Sequence, residues 1–418
     1  MKTKNMVNAQ ISTESEEYRT KLETYLYLVI EYGFYLYIFM FWFDIGEGLR
    51  NIGLYSSLVG CLILMLHAKD IKISFNIITL SFLAFLFSIL LSTFFSIDPY
   101  YSLAALKHDV LKAVIIYFIV STIFDNNMLL RMVKVISLSG LFFLALGFYD
   151  FVLGDAEFYL SQNVVLFADK NKYGFPLGIF LSFFLLFSIL SKLKWEKLIW
   201  RLAGAWAIIA AVLSASRGAI GSVVTVAAIF AFSVFNKRQL KITFIVVLIV
   251  LSSTVALFGF LPKTTKFAFS SIPEHMLTFN ERTYLFWEPA MEAVRKKPVI
   301  GWGYGKMIYR NSTPFESSKK PDWEKKGGLH STFVKILFHQ GIFGLSVYML
   351  LLLLTAYVLL QMVRHEIDER KILAISLFSI IVASFFVSSF VKDVPLRSLA
   401  IVLGISAALY NNRSAATN

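Results

Sequence analysis

Long apolar runs recur along the whole chain and are separated by short polar segments. Continuous runs of about 18 or more apolar residues are typical of membrane-spanning helices, whereas the strands of a membrane barrel alternate apolar and polar positions. The pattern therefore predicts an all-α, multi-pass membrane protein with about twelve transmembrane helices. The candidate spans are 24–43, 51–67, 73–96, 108–124, 133–153, 174–191, 198–214, 217–235, 242–261, 342–363, 372–390 and 396–411.

The spacing of these runs predicts three parts. Residues 1–261 form a transmembrane bundle of spans one to nine, residues 262–341 form a large polar loop, and residues 342–418 hold spans ten to twelve. No cleavable signal peptide is evident, so we expect the first span to act as an uncleaved anchor. Within the loop, the segment NERTYLFWEPAMEAVRKK predicts an amphipathic helix with Asn280 as its N-cap and Pro289 as a point of kinking or shortening.

The distribution of lysine and arginine predicts the orientation, because short cytoplasmic loops are enriched in both. With the N-terminus in the cytoplasm, the short inner loops carry 14 lysines and arginines and the short outer loops carry 7. We therefore expect both termini in the cytoplasm and the loop 262–341 on the outer face. The 12 basic residues of 262–329 do not contradict this orientation, because long loops translocate largely regardless of charge.

Composition supports the same class of protein. Charged residues make up 16% of the chain, against about 25% in soluble domains, and the mean hydropathy is +0.68. The formal net charge is +13, but the basic residues lie between spans, which favours membrane orientation over nucleic-acid binding. The single cysteine, Cys61, excludes an intrachain disulfide.

Arg217 lies between spans seven and eight, in the segment SASRGA. An arginine at the bilayer centre costs about 2.5–3.5 kcal/mol on insertion scales, but the predicted topology moves Arg217 to a tight turn at the outer rim. One interpretation is a side chain that snorkels to water and lipid headgroups. The other is an anion site, since a guanidinium beside a helix N-terminus suits a phosphate group.

Further candidate groups lie in the large loop. Arg282 is either part of a solvated helix face or a second phosphate ligand. His330 is either structural or a general base, because imidazole titrates near neutral pH. We expect His339, which lies mid-helix among apolar residues, to be a packed histidine, and the apolar helix around it to run along the interface before span ten. The segment GWGYG has neither the preceding strand nor the Lys-Ser/Thr of a nucleotide-binding loop, so nucleotide binding is not predicted.

The motifs follow one order along the chain, namely DKNKYG, SASRGA, ERTYLFWEPAMEAVRKKPVIGWGYG and HSTFVKILFHQGIFG. This order resembles the O-antigen ligase/polymerase superfamily of bacterial membrane glycosyltransferases. That superfamily has an Asp-x-Asn segment and a Ser-Arg-Gly after a span. An arginine with a following tryptophan then opens its large periplasmic loop, followed by Pro-x-x-Gly-x-Gly-x-Gly and a histidine at the end of the loop.

The resemblance implies a GT-C-like fold and an undecaprenyl-diphosphate-linked glycan as donor. Carried over by position, Arg217 and Arg282 would bind the donor diphosphate, and His330 would activate the acceptor hydroxyl. The expected location is the bacterial inner membrane, with the active site on the periplasmic face among membrane lipids. Neither a cofactor nor a metal ion is expected, because the outer loops contain no plausible metal-ligand cluster.

Three more residues enter through the resemblance. Asp169 and Asn171 match the Asp-x-Asn segment and are expected to shape the site, although on position alone they can be ordinary loop residues. The segment VKDVPLRSLAIV resembles the last span of enterobacterial O-antigen ligases. Its Asp393 is a candidate for orienting an arginine or His330, or is simply solvated.

Three functions stay open. A ligase would transfer the polymer to lipid A–core, and a polymerase would transfer it to another lipid-linked repeat. The chain length, the one large late loop and the final span favour the ligase. A transporter of lipid-linked glycans, a different class of protein, should carry ionisable residues deep within several spans or internal repeats. Glu31 is the main acid within a predicted span.

Overall fold

The computed structural model describes residues 2–43, 46–67, 73, 75–153, 174, 176–214, 216–234, 288–305, 308, 331–386 and 395–417. Regular structure within these residues is helical, without a strand. The described helices are α1 (Lys2–Met40), α2 (Glu47–His67), α3 (Ile77–Phe94), α4 (Pro99–Ile123), α5 (Asn126–Leu153), α6 (Leu177–Leu190), α7 (Lys194–Leu213), α8 (Arg217–Val234), α9 (Glu288–Lys296), α10 (Thr332–His365), α11 (Asp368–Phe386) and α12 (Pro395–Thr417).

Eleven of the twelve predicted spans coincide with a described helix, and the ninth, 242–261, lies outside the described residues. Four helices are long and apolar enough to cross a membrane, namely α2, α3, residues Asn126–Phe148 of α5, and α10. Two shorter apolar helices are α6 and residues Gly218–Val234 of α8. The all-helical class is therefore confirmed, and these helices have the length and composition of membrane spans. The total of twelve spans, the division into three parts and the GT-C-like arrangement stay predictions.

The last helix, α12, lies at the centre of the bundle. Every residue from 396 to 409 is buried, and the helix packs against α3, α4, α5, α10 and α11. A helix that is apolar on all sides is suited to a position surrounded by protein or lipid, and here other helices surround it. The late position of α12 in the sequence therefore means that helices from both halves of the chain close around it.

Polar contacts mark the two ends of the bundle. At one end the start of α3 meets the end of α12, where Asn76 Nδ2 donates to Asn411 Oδ1 at 2.8 Å. The end of α12 also meets the end of α10, where Arg413 Nε lies 3.1 Å from Glu366 Oε1. We call this the inner end, because the predicted topology places it in the cytoplasm, and the opposite one the outer end.

At the outer end, contacts run continuously from α12 to α8. They join α12 to α4, α4 to α2, and α2 to the segment after α1. That segment contacts α6, and Gly174, three residues before α6, contacts α8. These contacts are Arg397 Nη2 to Asp109 Oδ1 (3.3 Å), Lys112 Nζ to Asn51 Oδ1 (3.0 Å), Arg50 Nη1 to Phe43 O (3.3 Å), the rings of Trp42 and Phe180 (centroids 5.0 Å apart), and Gly174 against Ala219. The first turns of α8 and α12 therefore lie at the same end of the bundle.

Small residues set the distance between α1 and α2. A Cβ atom added at Gly53 would lie 2.5 Å from Gly33 O and 2.7 Å from Tyr37 N, so the two backbones touch at this point. The hydroxyl of Ser57 donates across the same interface to Ile30 O at 3.0 Å. Close backbone approach through small residues is the usual way in which helices pair in lipid. Apolar side chains gain little free energy there by moving from lipid into a helix interface.

We expect Gly53→Ala to lower the thermal unfolding midpoint, because the added Cβ would force α1 and α2 apart. Gly48→Ala is the matched control on the same helix, since a Cβ there meets no atom within 4 Å. At an exposed helical position, alanine is favoured over glycine by about 1 kcal/mol, so the control should unfold at or above the original temperature. Equal midpoints for both variants in one detergent would contradict the close contact.

Candidate functional site

A break in α10 organises the outer end of the described structure. Gly341 has φ 67° and ψ −168°, which interrupts the helix after Gln340. An unbroken helix would bond Ile342 N–H to Phe338 O and Phe343 N–H to His339 O. The segment 298–303 replaces both bonds. Its Trp302 N–H and Gly303 N–H donate to the two carbonyls at 3.0 Å each.

The same segment also accepts from the two amides that the break releases. Ile342 N–H donates to Pro298 O at 2.8 Å, and Phe343 N–H donates to Val299 O at 3.2 Å. Buried backbone groups cost free energy when they are left without partners, so the break is stable only while segment 298–303 occupies it. The predicted separate helix before span ten is therefore confirmed as residues 332–340, and the loop segment holds its end.

Two serines of α3 bond to α10 at the break, and the backbone of the α3–α4 corner bonds to segment 298–303. The hydroxyl of Ser92 donates to His339 O, and the hydroxyl of Ser88 donates to Gln340 Oε1 at 3.0 Å. Ile97 N–H donates to Trp302 O at 3.2 Å. Segment 298–303 is therefore bonded to α10 on one side and to the residues between α3 and α4 on the other.

Trp302 joins the segment to the loop helix α9. Its side chain is 6% exposed, its indole N–H donates to Ala293 O at 2.9 Å, and its ring stacks parallel to Phe338 at 6.4 Å between centroids. Lys297 Nζ lies 4.9 Å from the centre of the indole ring, a position in which the ring attracts a cation. Helix α9 begins at Glu288 with Pro289 in its first turn, which suits proline. Asn280, the predicted N-cap, lies outside the described residues.

Two glycines make the insertion possible. Gly303 has φ 116°, and a Cβ atom there would overlap the side chain of Ser96 and lie 2.9 Å from Ser96 Cα. At Gly341, a Cβ atom would overlap Val299 O. Gly303 of the segment GWGYG therefore allows close packing against the α3–α4 corner, and Gly341 allows the close contact between α10 and segment 298–303.

Beside this junction lies a cavity of about 80 Å³, between α3, α10, α12 and Tyr304. A single water needs only about 10–15 Å³ of such space, so the cavity is large enough for several waters or a small polar group. Its polar lining residues are Tyr304, Thr332, Lys335, His339, Gln340 and Tyr348, and its apolar ones are Phe85, Ile89, Ile336, Leu396 and Leu399. Burial raises the pKa of the Tyr304 phenol above its usual value, so the side chain stays a neutral O–H group.

His339 is 4% exposed, and its Nδ1 lies 2.7 Å from Gly303 O. A carbonyl oxygen can only accept, so Nδ1 carries the proton and Nε2 is left as an acceptor. The prediction that His339 is a packed histidine is therefore confirmed, and the structure adds that it lines the cavity.

Two predicted site residues precede helices that line this cavity. Ser331 caps α10, with its hydroxyl accepting from Val334 N–H at 3.4 Å, and His330 is the residue before this cap. Asp393 comes two residues before Pro395, the first residue of α12. His330 and Asp393 themselves lie outside the described residues.

Arg217 is the first residue of α8, and only its backbone is described. Ser216 caps this helix, since its hydroxyl accepts from Ala219 N–H at 3.4 Å and its carbonyl accepts from Ile220 N–H at 3.0 Å. The Ser-Arg-Gly motif is thus a helix start in which the serine has a structural role and the arginine begins the first turn. At the outer end, Arg217 and His330 both flank the N-cap serine of a helix.

Asp169 and Asn171 lie outside the described residues, but the chain just after them is placed. Gly174 packs against Ser216 and Ala219, at the start of α8. Asn171 comes three residues before Gly174 in the sequence. Arg282 also lies outside the described residues, and its pairing with Arg217 stays a prediction.

Sequence reasoning missed several charged contacts at the outer end. Arg397 is buried, its Nη2 lies 3.3 Å from Asp109 Oδ1, and its Nε has no hydrogen-bond partner within the part of the chain that the structure describes. Lys112 is buried as well, with Asn51 Oδ1 as its hydrogen-bond partner. A lysine or an arginine that interrupts an apolar run indicates a buried charge in the sequence. Only the fold reveals which helices such a charge joins. Among the described residues, no group of three or more His, Cys, Asp and Glu could hold a metal ion.

Comparison with known proteins adds one finding. Residues 202–349 match the family model described as O-antigen ligase. The matched range contains Arg217, Arg282, His330, segment 298–303 and the break in α10. A search of the curated proteins finds no match.

We expect Gly303→Ala to lower the unfolding midpoint strongly, because a side chain there would push segment 298–303 away from the α3–α4 corner. Gly46→Ala is the matched control. Gly46 also has a positive φ of 76°, but its Cβ would meet only the terminal methyl of Met40, a flexible group. The control should therefore lose about 1–2 kcal/mol from backbone strain alone. Both variants are measured in nanodiscs. If Gly303→Ala loses no more stability than Gly46→Ala, the proposed packing of this segment is contradicted.

Proposed function

We propose that this chain, a member of the O-antigen ligase family, transfers a polysaccharide from undecaprenyl diphosphate to a sugar hydroxyl of lipid A–core. The reaction would take place at the periplasmic face of the bacterial inner membrane, in lipopolysaccharide biosynthesis. The family assignment supports a membrane glycosyltransferase that acts on lipid-linked glycans. The ligase reaction, its donor and its acceptor are our proposal.

One observation carries this proposal. The helix that begins with Arg217, the helix that follows His330 and the helix that follows Asp393 all start at the same end of the bundle. Helix N-termini present unpaired N–H groups and a positive partial charge, which favour phosphate groups. An anionic diphosphate, a cation and a base can therefore come together at this end without a metal ion.

The chemistry follows from the groups assigned by the family resemblance. His330 takes the proton from the attacking sugar hydroxyl, and the hydroxyl oxygen forms a bond to the anomeric carbon. The bond between that carbon and the diphosphate oxygen breaks, and undecaprenyl diphosphate leaves with the electron pair. Arg217 and Arg282 stabilise the charge that gathers on the leaving group. A direct displacement of this kind inverts the configuration at the anomeric carbon.

The contacts of Glu31 give no support to a transporter path. Glu31, the main acid of the predicted spans, accepts from Arg131 Nε at 2.6 Å and from the Tyr35 hydroxyl at 2.5 Å. This pair joins α1 to α5 towards the inner end, away from the cavity. A carboxylate that is already paired and bonded is suited to holding two helices in register. A substrate path through the spans would instead require ionisable groups that face a central cavity.

We expect Arg217→Ala and Arg282→Ala each to lower the transfer rate by about 10²–10³-fold, because each removes one cation from the leaving diphosphate. His330→Ala should lower it by about 10²–10⁴-fold through loss of the base. The assay uses purified protein in nanodiscs with a polyprenyl-diphosphate glycan and lipid A–core. Arg201→Ala, an exposed arginine on α7, is the control and should keep its activity. If Arg217→Ala turns over as fast as the unsubstituted protein, Arg217 does not bind the diphosphate.

A deletion strain separates the ligase from the polymerase. For a ligase, all polymer should disappear from lipid A–core while lipid-linked polymer accumulates, because the donor is still made. This profile is visible on a lipopolysaccharide gel together with an extract of the lipid-linked pool. A core that carries a single repeat would identify a polymerase instead and contradict the ligase assignment.

A further inference from the structure

The cavity beside the α10 break has walls that suit a sugar ring. Its aromatic and aliphatic side chains can pack against the C–H faces of a pyranose, and a few polar groups lie between them. Small-molecule sites in proteins have this mixture of apolar walls and a small number of placed polar groups. The cavity of about 80 Å³ is too small for a whole oligosaccharide, but it has room for a hydroxyl-bearing part of one ring.

Two polar side chains of the wall are already fixed by the protein. His339 donates through Nδ1 to Gly303 O at 2.7 Å. The amide oxygen of Gln340 accepts from the Ser88 hydroxyl at 3.0 Å. Each residue has therefore used one polar atom to hold its orientation, and each keeps a second atom of opposite character. His339 Nε2 can accept a hydrogen bond, and the Gln340 amide nitrogen can donate one.

The second ring nitrogen of His339, Nε2, has no hydrogen-bond partner among the described residues, and the residue is only 4% exposed. Because His339 lines the cavity, a donor that enters the cavity can reach this acceptor. A sugar hydroxyl is such a donor, and it can at the same time accept from a neighbouring N–H group such as that of Gln340.

The position of the cavity connects it to the proposed reaction. Thr332, two residues after His330, lines it, and so does Leu396, three residues after Asp393. Residues close in sequence to the proposed base and to Asp393 therefore line the cavity. Lys335, one turn into α10, adds a cation to the same wall.

We propose that this cavity is a saccharide subsite, in which His339 Nε2 accepts and the Gln340 amide donates a hydrogen bond to a ring hydroxyl of one of the two glycan substrates. This assignment rests on the proposed glycan transfer and makes His339 a specificity-determining residue of that reaction. Its Nδ1 bond to Gly303 gives the subsite its shape, because the same bond ties segment 298–303 to α10.

Two substitutions of His339 separate the subsite from the structural tie. In His339→Asn the amide nitrogen can replace Nδ1 and still donate to Gly303 O, but the Nε2 acceptor is lost. In His339→Gln an amide atom can replace Nε2, but the donor to Gly303 is lost. We expect His339→Asn to keep its unfolding midpoint and to raise the KM of one substrate about three- to tenfold at unchanged kcat, as for a lost ground-state hydrogen bond. His339→Gln should show the opposite pattern, a lower midpoint and a nearly unchanged KM.

The control and an independent variant use other residues. His67 on α2 also places Nδ1 next to a carbonyl, that of Ile63 at 3.0 Å, and it lies at the exposed inner end of its helix. His67→Asn should therefore leave both KM values unchanged. Leu399→Phe reaches the cavity from α12 and should raise the KM of the same substrate as His339→Asn by filling the space.

The substrates are the lipid-linked glycan and the lipopolysaccharide core purified from cells that make this protein, and the KM that rises identifies donor or acceptor. Unchanged KM values for both substrates in His339→Asn and Leu399→Phe would overturn the subsite. Binding of the delipidated glycan and of the free core oligosaccharide, measured by saturation-transfer NMR in nanodiscs, needs no turnover. If the original protein transfers nothing but binds one saccharide that His339→Asn does not bind, the subsite stands and the proposed reaction fails. If it binds neither saccharide, the subsite is overturned.

Discussion

The exchange of two helical hydrogen bonds for four bonds to segment 298–303 is the constraint on which the outer end of this protein depends. A helix broken at Gly341 exposes two carbonyls and two amides, and in an apolar environment each must find a partner. Segment 298–303 supplies all four partners from its own backbone. Main-chain hydrogen bonds therefore hold segment 298–303 to α10. A side-chain substitution does not remove these bonds, except at the glycines that allow the close approach.

This junction determines what lies around it. It places Trp302 between α9 and α10, orients His339 through Gly303 O, and leaves a cavity against α3 and α12. If the loop left the break, the end of residues 332–340 would lose its bonds and the cavity its wall. Packing of segment 298–303 into the break and formation of the cavity are therefore coupled.

The sequence predicts the parts of this structure that depend on local pattern. Apolar runs locate the helices, and Ser-Arg-Gly marks the start of α8. The contacts of the glycines at the junction could not be predicted, because Gly303 meets Ser96 and Gly341 meets Val299 across long stretches of chain. The pairing of Arg397 with Asp109 is of the same kind, since the two residues lie 288 positions apart and only the closed bundle brings them together.

The central claim is that one diphosphate site forms at the outer end from the start of α8 and the large loop. A cryo-EM structure in nanodiscs with a non-transferable phosphonate analogue of the polyprenyl-diphosphate glycan tests it most directly. The account predicts the phosphorus groups at the outer end, with guanidinium nitrogens of Arg217 and Arg282 about 2.7–2.9 Å from their oxygens and the anomeric carbon facing His330. A diphosphate that is bound at the inner end, or that touches neither arginine, would contradict it.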